Sequence, residues 1–183
     1  MTDRNFYFDA YDLTMMVLFA FASALLNTYL PIKTFTEYFG IPGPAAGMAL
    51  LGGFIFVFWV ALARAIIKKK YVAIVTSLLI ASFCLLIAPW YGIVSPIWFG
   101  GYGIIALLLM GIFVELTWSE SKFRVGLGGG LGNLACLGVT WIAIGVHVGV
   151  WASPEFAPIL GIAAFISGFI GALVAYWVSK AFL

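Results

Sequence analysis

Six long apolar runs dominate this chain, and they restrict its fold more than any other feature of the sequence. The runs are separated where charged residues, proline and glycine cluster, and they cover residues at about 13–30, 45–67, 71–90, 97–118, 125–151 and 157–182. A helix needs roughly 20 apolar residues to cross the hydrocarbon core of a bilayer. Several of the runs approach or exceed that length. The sequence therefore predicts a polytopic membrane protein.

The fold class follows from the way a chain must behave in lipid. Each span has to satisfy its own backbone hydrogen bonds, so the spans should be helices. Strands of a membrane barrel alternate apolar and polar residues, whereas these runs are apolar on every face and too long. The chain is 64% hydrophobic and only 9% charged over 183 residues, too little charge to cover a soluble domain. We expect an all-α bundle of six transmembrane helices, forming a single integral membrane domain over residues 1–183.

The placement of lysine and arginine predicts the orientation of the bundle. If the spans alternate in direction, one side carries Lys33 alone, and the other side carries the remaining eight basic residues: Arg4, Arg64, Lys68, Lys69, Lys70, Lys122, Arg124 and Lys180. The positive-inside rule then places both termini in the cytoplasm. The N-terminal segment has acidic residues before its first apolar run and no small-residue cleavage site, so it does not resemble a cleaved signal peptide.

The glycine-rich segment "GLGGGLG" at 126–132 resembles a nucleotide-binding loop only superficially. No strand precedes it and no GK[ST] follows it, so we expect no ATP hydrolysis by this chain. Its Gly128 and Gly132 form a GxxxG pair, which in a membrane helix favours close helix packing.

Isolated polar residues inside the spans need a physical reason. Glu115 lies near the inner end of the fourth span, and we expect an ion pair with Arg64, Lys122 or Arg124 rather than a proton relay. Asn133 is expected to form an interhelical hydrogen bond. The two cysteines, Cys84 and Cys136, lie inside apolar runs without a CxxC or Cys/His cluster, so we expect neither a metal site nor a cofactor.

The predicted outer third of the bundle combines aromatic residues with a few hydrogen-bonding groups, the mixture typical of a small-molecule pocket. Trp and Tyr also favour headgroup depth without any ligand, so an interfacial aromatic belt stays open as the alternative. His147 is as compatible with a solvated helix end as with a ligand contact. The candidate substrate-binding residues are Asn27, Glu37, Tyr38, Trp90, Trp98, Tyr102, His147 and Trp151. No triad or cluster of catalytic groups accompanies them, so we do not expect an enzyme.

The first span contains "AFASA", in which Ala20 and Ala24 form an AxxxA pattern on one helical face. Together with six short spans, cytoplasmic termini and the polar, aromatic segment 31–44 between the first two spans, this resembles the substrate-binding S component of energy-coupling factor (ECF) vitamin transporters. The stretch "GIPGPAAGMALLGGFIFVFWVALARAIIKKKYVAIVTSLL" is most similar to the hydroxymethylpyrimidine/thiamine branch.

The resemblance implies a function. Such a protein captures a vitamin-like small molecule in an outward pocket under the loop between spans one and two, in the cell membrane of a prokaryote. It implies that Ala20 and Ala24 dock a transmembrane coupling protein that is driven by two ATPase subunits. No nucleic acid partner is expected.

Three other functions are alternatives to this one. A channel or secondary transporter commonly shows internal repeats and polar residues at the membrane midplane, which this sequence lacks by eye. A lipid-modifying enzyme needs a cluster of His, Asp, Glu or Cys at one face, whereas this chain has one histidine and scattered carboxylates. A structural or accessory subunit of a larger membrane complex, without a ligand of its own, fits the small-residue helix faces and stays open.

Overall fold

The computed structural model describes residues 7–30, Tyr38, 45–87 and 96–181, with the backbone alone for 96–99. Within these residues the chain forms six helices: α1 (Ala10–Tyr29), α2 (Ala46–Ile67), α3 (Val72–Ile87), α4 (Pro96–Thr117), α5 (Lys122–Val148) and α6 (Ala157–Ala181). Five of them are long and apolar enough to cross a membrane, and α3 is a shorter apolar helix of 16 residues. The prediction of an all-α, polytopic membrane bundle is confirmed.

Two helix ends show why the observed boundaries differ by a few residues from those predicted. Helix α1 begins before residue 13 because Asp9 and Asp12 form a capping box, in which each carboxylate accepts a hydrogen bond from the other residue's backbone N–H. The bond from Asp12 N–H also lowers the pKa of Asp9. Helix α5 ends at Val148 because Gly149 adopts a left-handed conformation (φ 74°) and bonds back to the Gly145 carbonyl.

Helix α2 lies at the centre of the bundle. It contacts each of the other five helices, and these contact one another in the order α1–α3–α4–α5–α6. Of its most apolar 18-residue window, 61% is buried, against 33–44% in the other four long helices. The second span therefore forms the core, and the remaining helices expose large apolar side chains toward the surrounding lipid.

Neighbouring helices along the chain run in opposite directions, as contacts at one end of the bundle show. There the Tyr176 hydroxyl, near the end of α6, donates to the Glu120 carbonyl just before α5. Lys69 pairs with Asp9 and Asp12, and Arg64 pairs with Glu115. These pairs bring together the start of α1, the end of α2, the start of α3 and the end of α4. We call this the basic end, because it carries all the basic residues that the structure describes: Arg64, Lys68, Lys69, Lys70, Lys122, Arg124 and Lys180. The opposite end is called the far end.

Glycines allow three helices to approach one another closely. A methyl group at Gly129 of α5 would overlap the Gly168 carbonyl oxygen of α6, and one at Gly53 of α2 would overlap the Ser167 carbonyl oxygen. Gly128 and Gly132 are buried against α4. The prediction that the glycine-rich segment serves helix packing is confirmed.

Candidate functional site

At the far end, α4 and α5 bring together two of the predicted site residues. The Tyr102 hydroxyl oxygen and His147 Nε2 lie 3.1 Å apart, and the two rings meet edge to face with centroids 5.4 Å apart. Tyr102 donates its proton to a neutral Nε2, or Nε2–H donates to the hydroxyl oxygen, depending on the imidazole tautomer. His147 is exposed, while Tyr102 is half-buried against the core. This pair places hydrogen-bonding groups on an aromatic wall at the surface.

Trp151 lies at the same end of α5. The left-handed turn at Gly149 carries the chain back over the helix, and the indole ring packs on buried Gly145. Any side chain at position 145 would collide with that ring. More than half of the Trp151 surface is exposed, so the far end of α5 offers an aromatic face as well as the histidine.

Asn27 does not contact the Tyr102–His147 pair in any described interaction. Its side-chain N–H donates to Cys84 Sγ, 3.6 Å away, so it links the far ends of α1 and α3. Half-buried between helices, its amide contributes to packing. The structure thus assigns Asn27 an interhelical contact in addition to the predicted ligand role, which stays a prediction.

The remaining predicted substrate-binding residues are Glu37, Tyr38, Trp90 and Trp98. Tyr38 is 85% exposed. Glu37 and Trp90 lie outside the described residues, and of Trp98 only the backbone, within α4, is described. Their predicted roles stay predictions.

The expected docking face of the first helix is corrected by the structure. Ala20 and Ala24 are both 0% exposed and belong to the main hydrophobic core of the bundle. The small side chains do permit close helix approach, as the AxxxA pattern predicts. However, the helices that approach are α2 and α3 of the same chain. These two alanines are therefore not available to a separate coupling protein.

The middle of α2 carries a buried polar cluster that sequence reasoning missed. Residues Gly53–Val57 form a π-helical turn, which leaves backbone groups out of the regular α-helical pattern. Ser167 of α6 donates to the Leu50 carbonyl (2.8 Å) and accepts from Gly53 N–H (3.1 Å). Ser23 of α1 donates to the Ile55 carbonyl. Two serines inside apolar spans and the Gly52–Gly53 pair were the available signals for this cluster.

Asn133 of α5 completes the cluster. Its side-chain N–H donates to the Ala164 carbonyl of α6 (2.8 Å), which confirms the predicted interhelical hydrogen bond. Its carbonyl oxygen is buried, faces Gly52 and has no hydrogen-bond partner among the described residues. Ser23 and Ser167 bond α2 to α1 and α6, and Asn133 bonds α5 to α6, so these polar groups act in the fold.

The ion pair expected for Glu115 forms with Arg64. The guanidinium Nε lies 2.8 Å from Glu115 Oε1, and the other carboxylate oxygen accepts from the Ala73 backbone N–H at 3.0 Å. The guanidinium also lies over the Trp118 ring. With all these partners, Glu115 joins α2, α3 and α4 in a structural contact.

Among the described residues, no three His, Cys, Asp or Glu side chains lie close enough together to hold a metal ion. Comparisons with protein-family models, with curated proteins and with solved structures found no match to this chain. The Tyr102–His147 pair and Trp151 form the candidate site.

Proposed function

We propose that this protein is the membrane-embedded substrate-binding subunit of an importer, and that it captures a small, vitamin-like solute at the far end of the bundle. The observation that carries this proposal is the Tyr102–His147 pair, held 3.1 Å apart on two different helices. Small-molecule sites combine aromatic walls with a few fixed polar groups, and this pair supplies both.

The position of the pair distinguishes it from the other polar groups of the bundle. Ser23, Asn133 and Ser167 are buried and form hydrogen bonds with neighbouring helices. His147 is exposed at a helix end, where a solute from outside reaches it without unfolding the core. Trp151 at the same end adds an aromatic face for stacking or for a cationic ring.

We further propose that the importer is of the ECF type and that its solute is related to thiamine. This is supported by the six-helix architecture and by the resemblance of the sequence over residues 40–79. In this arrangement Glu37, Tyr38, Trp90 and Trp98 complete the pocket. A coupling protein and two ATPase subunits drive transport, and the coupling protein docks on a surface other than Ala20 and Ala24.

Ligand identification tests the proposal directly. Protein purified in mild detergent is denatured, and the released small molecules are identified by mass spectrometry. Tryptophan fluorescence of the intact protein, which has seven tryptophans, then measures binding of each candidate. We expect one vitamin-like compound in near-stoichiometric amount, and quenching that saturates as it is added back.

Variants locate the site. Tyr102→Phe removes the hydroxyl alone and should weaken binding by up to about tenfold, the value of one hydrogen bond. Tyr71→Phe, which removes an exposed hydroxyl at the basic end, is the matched control and should bind normally. Protein that releases no compound and responds to no vitamin would contradict the proposal and favour a structural or accessory subunit.

A further inference from the structure

An open groove with a volume of about 800 Å³ lies at the basic end, remote from the candidate site. Its walls come from the end of α2, the connection between α4 and α5, and the last turns of α6. The residues that give it chemical character are Lys68, Trp118, Ser119, Glu120, Tyr176 and Lys180.

The groove carries more positive than negative charge. Among the described residues of its wall, Lys68 and Lys180 contribute two ammonium groups and Glu120 contributes the one carboxylate. In the part of the chain that the structure describes, the ion pairs use Arg64 and Lys69, and none involves Lys68 or Lys180. The two lysines therefore retain donors and charge for an anion.

Aromatic contacts shape the groove around one of these lysines. The Lys180 ammonium lies over the Tyr176 ring, 4.6 Å from its centroid. The Tyr176 hydroxyl donates to the Glu120 backbone carbonyl (2.9 Å), which ties α6 to the α4–α5 connection. Lys180 is thus positioned by a wall that is itself fixed.

Lys68 occupies a backbone position that glycine normally favours. It ends α2 in a left-handed conformation (φ 57°), with its N–H bonded to the Arg64 carbonyl. A lysine at a helix C-terminus interacts favourably with the helix dipole. The same residue also lines the groove.

The neighbouring side chains indicate the depth of the groove in the membrane. Leu116 and Trp177 lie within two residues of groove residues and are 72% and 56% exposed. Large apolar side chains that are exposed on a membrane-spanning helix face lipid. The groove therefore opens where the apolar surface meets the charged end, at the level of lipid headgroups.

We propose that this groove binds the phosphate of an anionic phospholipid, with the ammonium groups of Lys68 and Lys180 as its ligands. Basic pockets between transmembrane helices on the cytoplasmic side are suited to anionic headgroups, and the basic end is the predicted cytoplasmic side. This inference is independent of the proposed function at the far end.

The test compares two double variants with the same change in charge. Lys68→Gln/Lys180→Gln removes the groove ammonium groups, whereas Lys70→Gln/Lys122→Gln removes two exposed ones elsewhere on the basic end. Purified, delipidated full-length protein in detergent is titrated with phosphatidylglycerol, and the melting temperature is recorded. Phosphatidylcholine with the same acyl chains and inorganic phosphate are titrated in parallel. Lys68→Arg/Lys180→Arg, which keeps both charges, is titrated in the same way and replaces the glutamine variant if that variant does not fold.

We expect phosphatidylglycerol to stabilise the wild type, the arginine variant and the Lys70/Lys122 variant in a saturable way. The half-saturating concentration should rise at least tenfold in Lys68→Gln/Lys180→Gln. Equal responses of the two glutamine variants, or stabilisation of the arginine variant no greater than phosphatidylcholine gives, would overturn the proposal. Equal stabilisation by inorganic phosphate would overturn the lipid assignment.

Discussion

The Arg64–Glu115 pair shows how single charged residues are accommodated in this apolar chain. The two side chains are only 11% and 10% exposed, and the carboxylate has a second partner in the Ala73 N–H. A buried pair gains little over an apolar replacement of both residues, but removing one partner leaves an uncompensated charge. This contact also fixes the ends of three helices relative to one another.

We therefore expect Glu115→Ala to destabilise the protein by about 3 kcal/mol or more, because Arg64 and the Ala73 N–H both lose their partner. The melting temperature in detergent, followed by tryptophan fluorescence, measures the loss. Glu155→Ala is the matched control, since Glu155 is exposed beyond the far end of α5. Equal melting temperatures for the two variants would show that the pair contributes nothing to stability.

At the scale of helices, the contact between α5 and α6 depends on glycine. Gly129 of α5 and Gly168 of α6 lie against each other's backbone carbonyl groups. Gly53 of α2 joins the same contact, because its carbonyl group lies against Gly171 of α6. In lipid, helices associate through packing and hydrogen bonds, so close backbone approach matters more than in a soluble protein. The hydrogen bonds of Ser167 and Asn133 lie at the same three-helix contact.

Substituting Gly129 by alanine should destabilise the bundle by about 1–3 kcal/mol, the usual cost of overpacking a filled core. Gly138→Ala in the same helix is the control, because its added methyl meets no atom of the described residues within 4 Å. That control should be neutral or more stable by up to about 1 kcal/mol, since alanine favours helix. Melting temperatures of the purified variants provide the comparison, and a more stable Gly129→Ala would refute the close contact.

At the scale of the whole molecule, the sequence predicted an all-helical membrane bundle correctly because long apolar runs in a bilayer have to satisfy their backbone hydrogen bonds as helices. The Glu115 ion pair and the packing role of 126–132 were predictable for a related reason: a charge or a run of glycine in lipid has few acceptable environments. The use of Ala20 and Ala24 was not predictable. A small-residue face fits a helix of the same chain as well as a partner, and sequence does not show which one covers it.

Three other features could not be predicted from the sequence: the central position of α2 in the bundle, its π-helical turn and the groove at the basic end. Each depends on which helices are neighbours. Hydropathy reports how apolar a helix is, and α2 differs little from α6 in that respect (mean hydropathy 2.3 against 2.2). The candidate site was predicted in part, since Tyr102 and His147 were named for their depth and the structure joins them.

The orientation of the whole bundle can be tested with two variants, each of which carries one introduced cysteine. Cys84 and Cys136 are both buried, so the wild type should react little with a membrane-impermeant maleimide. Ser121→Cys introduces an exposed thiol at the basic end, and Glu155→Cys introduces one at the far end. Because the positive-inside rule places the basic end in the cytoplasm, intact cells should label Glu155→Cys only, and permeabilised cells should label both. Labelling of Ser121→Cys alone in intact cells would show that the topology is the inverse of the predicted one. The candidate site would then face the cytoplasm, and import from outside would no longer be possible by the route proposed here.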